Sequence, residues 1–288
     1  MPLDKSDRSA GASKAAHAER LCFGDHTQSP MEVAVAVEVP VNVIYGNSPY
    51  AVMMMSPADL PDFAYGFSLT EGIIQSVGEI RKIEFSTAEE GISLTIDLVP
   101  DRFREHLSRR RAMSGRTSCG LCGIESLAAL PSAPPLSIAA QPICSASIRT
   151  ALTALERMQP LNLLTRSVHA AAWCHADGRV LLVREDVGRH NALDKLIGAL
   201  LVDGSPASQA SAGFMMITSR ASFEMVEKAA IFGARCLVAI SAPTSLAIKR
   251  ADDLGVTLVA IARSDAAMVF TGAVSLGHAA LEQKTVSP

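Results

Sequence analysis

The sequence predicts an α/β protein, α+β overall, in which a smaller β-rich amino-terminal subdomain precedes a larger carboxyl-terminal domain. Valine occupies every second position from residue 33 to residue 43, and this period of two is typical of a strand with one buried face. After residue 213, three short apolar runs alternate with two helical patterns, which favours a parallel sheet with right-handed crossovers. A proline-rich stretch at residues 131–142 separates the two patterns and predicts a boundary there.

The composition indicates a globular chain with ample material for a core. The 288 residues are 49% hydrophobic, 19% charged and 5% aromatic, and the net charge of −3 does not suggest extensive nucleic-acid binding. We expect no membrane span, because no apolar run approaches the roughly 20 residues needed, and residues 1–8 lack the apolar core of a secretory signal. The expected compartment is the cytoplasm, where most of the six cysteines should be reduced.

The first part of the chain is predicted to be a tail followed by strands. Residues 1–28 show no hydrophobic period and are predicted to form a disordered tail, and the amino-terminal subdomain is predicted to cover residues 29–143. Pro40, within the valine run, favours an edge strand or a bulge. A turn at residues 46–49 leads to a second strand at residues 50–55.

A helix is expected to begin at Leu60 and to end at Gly72, because apolar residues recur three, four and seven positions apart. Strands are expected at residues 83–85 and 92–98. The arginine-rich stretch at residues 102–116 is predicted to be a helix that leads into an exposed loop and linker at about 114–143.

The carboxyl-terminal domain is predicted to cover residues 144–288. It begins with a helix that carries Ile148, Leu152 and Leu155 on one face and reaches Met158, and a hairpin around Asp177 follows. The alternating elements are predicted as strands at 214–218, 237–241 and 256–262 and as helices at 222–232 and 244–254. Ligands of parallel sheets bind beyond the carboxyl ends of the strands, here near residues 219–220, 241–244 and 263–265.

Cys119 and Cys122 form a C-x-x-C pair flanked by glycines, and they follow the arginine-rich stretch. Nearby guanidinium groups and the amides of a glycine-rich turn lower a thiol pKa and favour the nucleophilic thiolate. The pair is therefore a candidate reactive site or half of a metal site.

Three other interpretations of the pair have less support. A zinc knuckle needs two more ligands, and no second C-x-x-C is present. Zinc deaminase chemistry would need an H-x-E motif, and its match at His17 and Glu19 lies about 100 residues away in the predicted tail. A thioredoxin-like redox role would place the pair in an early strand-to-helix turn, whereas a proline-rich linker follows it here.

Five separated motifs resemble the formate dehydrogenase accessory sulfurtransferase family, FdhD, from about Val39 to Phe270. The longest is REDVGRHNALDK at residues 184–195. The others are GFSLTEGI at 66–73, SCGLCG at 118–123, SRASFEMVEK at 219–228 and SAPT at 241–244.

The resemblance implies a sulfurtransferase with a cysteine persulfide intermediate. A cysteine desulfurase would pass sulfur to Cys119, and the protein would deliver it to the molybdenum (or tungsten) bis-guanine-dinucleotide cofactor, bound as a substrate, that a formate dehydrogenase requires. Cys122 could then attack the Cys119 persulfide and release sulfide, leaving a disulfide. No metal tightly bound to the protein itself is expected. The resemblance also implies a homodimer, formate dehydrogenase as a partner, and a cytidine-deaminase-like three-layer fold for the carboxyl-terminal domain. The alternative is a non-enzymatic cofactor chaperone whose cysteines are dispensable.

The family's cofactor-binding loop corresponds to residues that follow the last predicted parallel strand. They are Ile261, Ala262, Arg263, Ser264, Asp265 and Ala266. This loop departs from the family pattern, since many relatives carry an aromatic residue and a glycine there. Arg220, Ser241 and Thr244 lie at predicted strand ends and are further candidates for contact with an anionic ligand.

Several candidates remain open between a structural and a functional role. The arginine-rich stretch is either a solvated helix face or a group of charges that tunes the cysteine pair. His169 is either a satisfied core or loop histidine or a ligand contact. The polar residues of the longest motif either close the turn before a helix or contact the ligand; they are Arg184, Asp186, Arg189, His190 and Lys195.

Overall fold

The computed structural model describes residues 11–24, 26–111, 133–136, 142–204 and 213–276. In the amino-terminal half, the strands are β1 (Ser13–Cys22), β2 (Thr27–Ala36), β3 (Val39–Tyr45), β4 (Ser48–Met55), β5 (Ile80–Ala88) and β6 (Gly91–Leu98), and the helices are α1 (Leu60–Thr70) and α2 (Pro100–Arg111). A 3₁₀ turn covers Val77–Glu79.

In the carboxyl-terminal half, the helices are α3 (Ser145–Arg157), α4 (Pro160–Thr165), α5 (Arg189–Val202), α6 (Phe223–Phe232) and α7 (Ser245–Leu254). The strands are β7 (Ile143–Cys144), β8 (His169–His175), β9 (Val180–Asp186), β10 (Gly213–Ile217), β11 (Cys236–Ala239), β12 (Thr257–Ala260), β13 (Met268–Thr271) and β14 (Val274–Ser275).

Strands β1 and β2 form a two-stranded antiparallel hairpin, paired from Ser13 opposite Ala36 to Cys22 opposite Thr27. The prediction of a disordered tail through residue 28 is therefore wrong from Ser13 onward. Backbone hydrogen bonds between the two strands hold this hairpin together although most of its side chains are exposed. β1 and the part of β2 before Val33 have no buried face and therefore no hydrophobic period, so the sequence predicted no strand there.

The amino-terminal sheet has the strand order β4-β3-β6-β5, with α1 packed on one face. The strands and the helix that the sequence predicts in this region are confirmed. The valine run is divided between β2 and β3, and β3 is a central strand, so the expectation of an edge strand at Pro40 is wrong. A proline is tolerated at position 40 because the pairing of β3 with β6 begins one residue later, at Val41. The register shift between β3 and β4 lies further along, between Val43 and Ile44.

The carboxyl-terminal sheet has six strands in the order β13-β12-β11-β10-β8-β9. The three central strands β10, β11 and β12 are parallel, as the sequence predicts, and β8, β9 and β13 run antiparallel to their neighbours. Buried side chains from α5, α6 and α7 pack on one face of this sheet, and those of α3 pack on the other. The expected three-layer arrangement is confirmed.

Helices α1 and α5 join the two halves through very close backbone contact at Gly66 and Gly198. A Cβ atom at Gly66 would lie 1.8 Å from the carbonyl oxygen of Asp194, and one at Gly198 would lie 1.8 Å from that of Asp62. Glycine is required at both positions because any side chain would push the helices apart. The helix predicted between Leu60 and Gly72 is thus fixed directly against the carboxyl-terminal domain.

Within the part of the chain that the structure describes, no helix combines the length and the apolar character needed to cross a membrane.

Candidate functional site

The three predicted ligand-binding loops meet at one edge of the carboxyl-terminal sheet, which we call the carboxyl edge. It comprises residues 218–222 after β10, 240–244 after β11 and 261–266 after β12. The loops are adjacent because the three strands are parallel neighbours, so their carboxyl ends lie side by side.

Backbone hydrogen bonds tie the first two loops together. The Ala221 amide donates to the carbonyl of Ala242 at 3.2 Å, and the Thr244 amide donates to the carbonyl of Ala221 at 3.0 Å. The Thr244 hydroxyl accepts a hydrogen bond from the Ala247 amide at 3.3 Å and so caps the start of α7. Thr244 therefore has a structural role at this edge.

The third loop, residues 261–266, begins with unusual backbone geometry. Ile261 has a φ of 53°, in the left-handed region that a β-branched residue rarely adopts. Its amide donates to the carbonyl of Ser241 at 3.1 Å, and the Arg263 amide donates to the carbonyl of Ala266 at 2.8 Å. Strained backbone of this kind is found preferentially at functional sites.

The two predicted arginines of the carboxyl edge differ in their surroundings. Arg220 is exposed in the middle of the loop after β10. Arg263 is also exposed, but its Nη1 donates to the backbone carbonyls of Ile240 and Ala262, so it helps to hold the loops. Because α6 and α7 both start at this edge, their amino-terminal amides add to the attraction of an anion near Arg220.

A second group of polar side chains extends the edge toward β8 and α5. His169 begins β8, and Arg189 and His190 form the first turn of α5. Among the described residues, nothing hydrogen-bonds the buried Arg189 Nε or the buried His190 Nε2. Buried polar atoms without partners are costly, so a polar ligand group or water at this position would satisfy them.

Burial, together with the positive charges of Arg189 and Lys228, lowers the pKa of His190 to about 4, and Glu224 opposes the shift. Burial and Arg189 also lower the pKa of His169. Both imidazoles are therefore neutral at neutral pH, and each can donate one hydrogen bond and accept another. The sequence did not decide between a structural and a ligand-binding role for these residues. The structure places them beside the loops that the sequence predicts to bind the ligand.

Asp186 and Lys195 have a different role, because they are completely buried and satisfied. The Asp186 carboxylate accepts hydrogen bonds from Lys195 Nζ at 2.5 Å, from the Ser56 amide at 3.0 Å and from the Gly188 amide at 2.7 Å. Lys195 Nζ also donates to the carbonyl of Ser56 at 2.9 Å, and Asn191 Nδ2 donates to Asp186 at 3.1 Å. For these two residues the structural interpretation is correct: they fix the turn that presents Arg189 and His190.

Three further hydrogen bonds join residues of the family motifs to other parts of the molecule. Arg184 donates from Nε to the Asp62 carboxylate of α1 at 2.7 Å. Lys228 Nζ donates to Asp194 at 2.9 Å and to the Thr70 hydroxyl at 2.8 Å. Arg184 is thus also structural. Nothing in the local sequence of Ser56 or Asp62 signalled these long-range partners.

The predicted reactive pair, Cys119 and Cys122, lies outside the described residues, as does Arg116. Of the described cysteines, Cys174 and Cys236 are buried, and burial raises the pKa of each thiol to about 12. Such thiols are protonated at neutral pH and are poor nucleophiles. In the described part of the chain, no cluster of three or more potential metal ligands is found.

The fold and the carboxyl edge define a three-layer α/β protein with a site suited to a polar, anionic ligand. The FdhD/NarQ family model matches residues 36–276, so the chain belongs to the FdhD/NarQ family.

Two curated relatives and one solved structure illustrate the similarity. The chain is 48% identical over 237 residues to the "Sulfur carrier protein FdhD" of Variovorax paradoxus (strain S110), covering 82% of this chain and 84% of the relative. It is 45% identical over 257 residues to the protein of the same name from Cupriavidus necator, covering 89% and 88%. A crystal structure described as a formate dehydrogenase accessory protein from Desulfotalea psychrophila has a TM-score of 0.68 at 24% identity, covering 91% of this chain and 97% of that one. The structural match supports the fold.

Proposed function

We propose that this protein is a sulfur carrier that accepts persulfide sulfur on Cys119 and transfers it to a bis-guanine-dinucleotide metal cofactor required by a formate dehydrogenase. The observation that carries the proposal is the identity of 48% to a relative named as a sulfur carrier protein, together with the glycine-flanked cysteine pair in this sequence. The match to a formate dehydrogenase accessory protein supports the proposed destination of the sulfur.

The first step of the proposed chemistry takes place at Cys119. Its thiolate attacks the outer sulfur of a persulfide on a cysteine desulfurase. The sulfur–sulfur bond of that persulfide breaks, a new one forms on Cys119, and the desulfurase cysteine leaves as a thiolate. The step moves one sulfur atom and needs no other oxidant or reductant.

Two routes can complete the transfer. In the first, the sulfur–sulfur bond of the Cys119 persulfide breaks, the outer sulfur passes to the cofactor and Cys119 leaves as a thiolate, while a thiol reductant supplies the two electrons that bring the sulfur to the sulfide level. In the second, the Cys122 thiolate attacks the Cys119 sulfur of the persulfide, so that hydrosulfide leaves and a Cys119–Cys122 disulfide remains. The second route requires a thiol reductant to return the pair to its starting state.

The carboxyl edge is the proposed binding site for the guanine-dinucleotide part of the cofactor. Its support is the convergence of three loops, the exposed Arg220, and the unpartnered nitrogens of Arg189 and His190. Arginine and helix-terminal amides bind phosphate, and neutral imidazoles can hydrogen-bond a base or a ribose. Asp186 and Lys195 would keep the α5 side of this site in place.

Mass spectrometry after incubation with a cysteine desulfurase and cysteine tests the proposal. We expect an adduct of about 32 Da, one sulfur atom, on the wild-type protein and on Cys122→Ala, and none on Cys119→Ala. An unmodified Cys119 in a protein that still supports formate dehydrogenase activity would contradict the proposal and favour a non-enzymatic cofactor chaperone.

A further inference from the structure

Helices α5 and α6 lie side by side, and both begin at the carboxyl edge. Strands β9 and β10 are each antiparallel to β8, so they run in the same direction, and the helix after each of them starts at the same edge of the sheet. Between the helices, Lys228 Nζ of α6 donates to the Asp194 carboxylate of α5 at 2.9 Å. This hydrogen bond fixes which turns of the two helices face each other.

Glu224 in the first turn of α6 therefore lies opposite His190 in the first turn of α5. Glu224 precedes Lys228 by four residues, and His190 precedes Asp194 by four. Residues four apart share one face of a helix, so the facing of the second pair extends to the first. Together with Arg189, these two side chains form one polar corner of the carboxyl edge, which we call the α5–α6 corner.

The half-buried carboxylate of Glu224 is charged at neutral pH. Burial raises its pKa, but the nearby Ser222 hydroxyl, its own backbone amide and the charges of His190 and Arg189 outweigh burial, so that the pKa is lowered overall. A carboxylate accepts hydrogen bonds and cannot donate them. It repels another anion such as a phosphate, so this corner favours a neutral part of a ligand that donates hydrogen bonds.

The other two members of the α5–α6 corner have unused hydrogen-bonding atoms. Within the described ranges, nothing pairs with the buried Arg189 Nε, which is a donor, or with the buried His190 Nε2, which donates in one of the two imidazole tautomers. A ligand that supplies acceptors to these atoms would remove the cost of leaving them unpaired. The corner thus combines an acceptor on α6 with donors on α5.

We propose that the α5–α6 corner recognises a guanine base and that Glu224 is the residue that determines this specificity. Guanine presents N1–H and the exocyclic 2-amino group as donors for the carboxylate, and O6 and N7 as acceptors for Arg189 and His190. Adenine has an unprotonated N1 where the carboxylate needs a donor, and it lacks O6. This inference rests on the proposed function, because it assigns one part of the proposed cofactor to one part of the carboxyl edge.

The position of Arg220 fits the same nucleotide. Arg220 precedes Glu224 by four residues, so their Cα atoms are at most about 14 Å apart. A diphosphate at Arg220 and a base at Glu224 can therefore belong to one GDP molecule. The pterin rings of the proposed cofactor present a similar pair of donors, and the experiment must distinguish the two kinds of ring.

Inosine diphosphate (IDP) tests the contact with Glu224, because its base is guanine without the 2-amino group. Calorimetry should show that the wild-type protein binds GDP at least about tenfold more tightly than IDP, since IDP loses a charge-assisted hydrogen bond. Glu224→Met should bring the two affinities to within about threefold of each other. The matched control Glu156→Met removes the same charge at an exposed position on α3 and should keep the wild-type ratio.

The ratio of the two affinities separates recognition of the base from a structural role of Glu224. A change that only loosens the first turn of α6 would weaken GDP and IDP equally, as would the loss of a phosphate contact in Arg220→Ala. If Glu224→Met does not fold, Glu224→Gln keeps the size of the side chain and removes its charge. It should lower the ratio at least about threefold, because a neutral hydrogen bond is weaker than a charge-assisted one.

A wild-type ratio near one, or the wild-type ratio in a folded protein with Glu224 replaced, would overturn the proposal. Tighter binding of neopterin than of guanosine would assign the corner to a pterin ring and overturn the assignment to guanine. If Arg220→Ala weakens both nucleotides while Glu224→Met keeps the ratio, this inference alone fails. No binding of GDP would refute both this inference and the carboxyl edge as the nucleotide site, whereas persulfide formation on Cys119 is measured independently of either.

Discussion

Lys195 donates a hydrogen bond of 2.5 Å to Asp186, and neither side chain is exposed to solvent. The pair joins the end of β9 to α5, and through Ser56 it also joins the amino-terminal half of the molecule. Because the same carboxylate holds the Gly188 amide, the pair sets the position of the turn that carries Arg189 and His190. An ion pair in the core therefore shapes the candidate ligand site.

Lys195→Met should destabilise the fold by about 3–5 kcal/mol, because it leaves the buried Asp186 carboxylate without its charge partner. Chemical denaturation measures the change in the free energy of unfolding. The control is Lys249→Met, which breaks an exposed pair with Asp253 and should cost at most about 1 kcal/mol. Equal effects of the two changes would show that the buried pair has no special role.

Gly66→Ala should cost about 3 kcal/mol or more, because the new Cβ would meet the Asp194 carbonyl at 1.8 Å and force α1 away from α5. Gly78→Ala is the matched control, since a Cβ there meets nothing within 4 Å, and it should change stability by about 0.5 kcal/mol or less. Thermal unfolding of both variants provides the comparison. A stable Gly66→Ala protein would contradict the close contact.

The free energy of unfolding should decrease as the pH is lowered from about 6.5 to about 4, because of His190. Burial, Arg189, Lys228 and His169 lower the pKa of His190 to about 4, and Glu224 opposes the shift. The unfolded state, with a histidine pKa near 6.5, then binds a proton over this pH range while the folded state does not. The contribution is fully present above pH 6.5, is lost as the pH falls to about 4, and amounts to about 3 kcal/mol.

His190→Gln should flatten that part of the pH dependence of the free energy of unfolding. His17→Gln, at an exposed position of β1, serves as the control and should leave the slope as in the wild type. A wild-type slope in His190→Gln would show that His190 does not titrate as the structure indicates.

Arg220→Ala should weaken the binding of GDP, a fragment of the proposed cofactor, at least several-fold. Loss of one charge-assisted phosphate contact costs about 1.5–3 kcal/mol, which exceeds that threshold. Calorimetry should show that Cys119→Ala and the control Arg157→Ala, at an exposed position on α3, bind GDP like the wild type. Normal binding by Arg220→Ala together with lost binding by His190→Gln would move the site toward α5.

Cys119→Ala should abolish formate dehydrogenase maturation in cells that lack the wild-type protein, because the persulfide has no other acceptor in the proposed chemistry. Cys122→Ala should weaken maturation and leave Cys119 able to take up sulfur. Formate dehydrogenase activity in cell extracts measures both effects. Full activity with Cys119→Ala would remove the central claim.

The sequence correctly predicted those elements whose hydrophobic period reflects one buried face. Helix α1 and the parallel strands β10, β11 and β12 lie where the pattern placed them, and the three loops after these strands meet at one edge. Strand β1 and the part of β2 before Val33 were missed because they have no such face. These strands are held by backbone hydrogen bonds, which leave no pattern of side chains in the sequence.

At the candidate site, too, part of the arrangement follows from local sequence and part only from the tertiary structure. Local sequence was enough to identify the strand-end loops, the family motifs and the cysteine pair, because each is a short contiguous pattern. Only the tertiary structure separated the roles within residues 184–195: Asp186 and Lys195 bind Ser56, whereas Arg189 and His190 lie at the carboxyl edge. It also brought Ala133 to Glu227 and Arg250. These pairings join residues far apart in the chain, and burial and charge compensation select them only once the domains have packed.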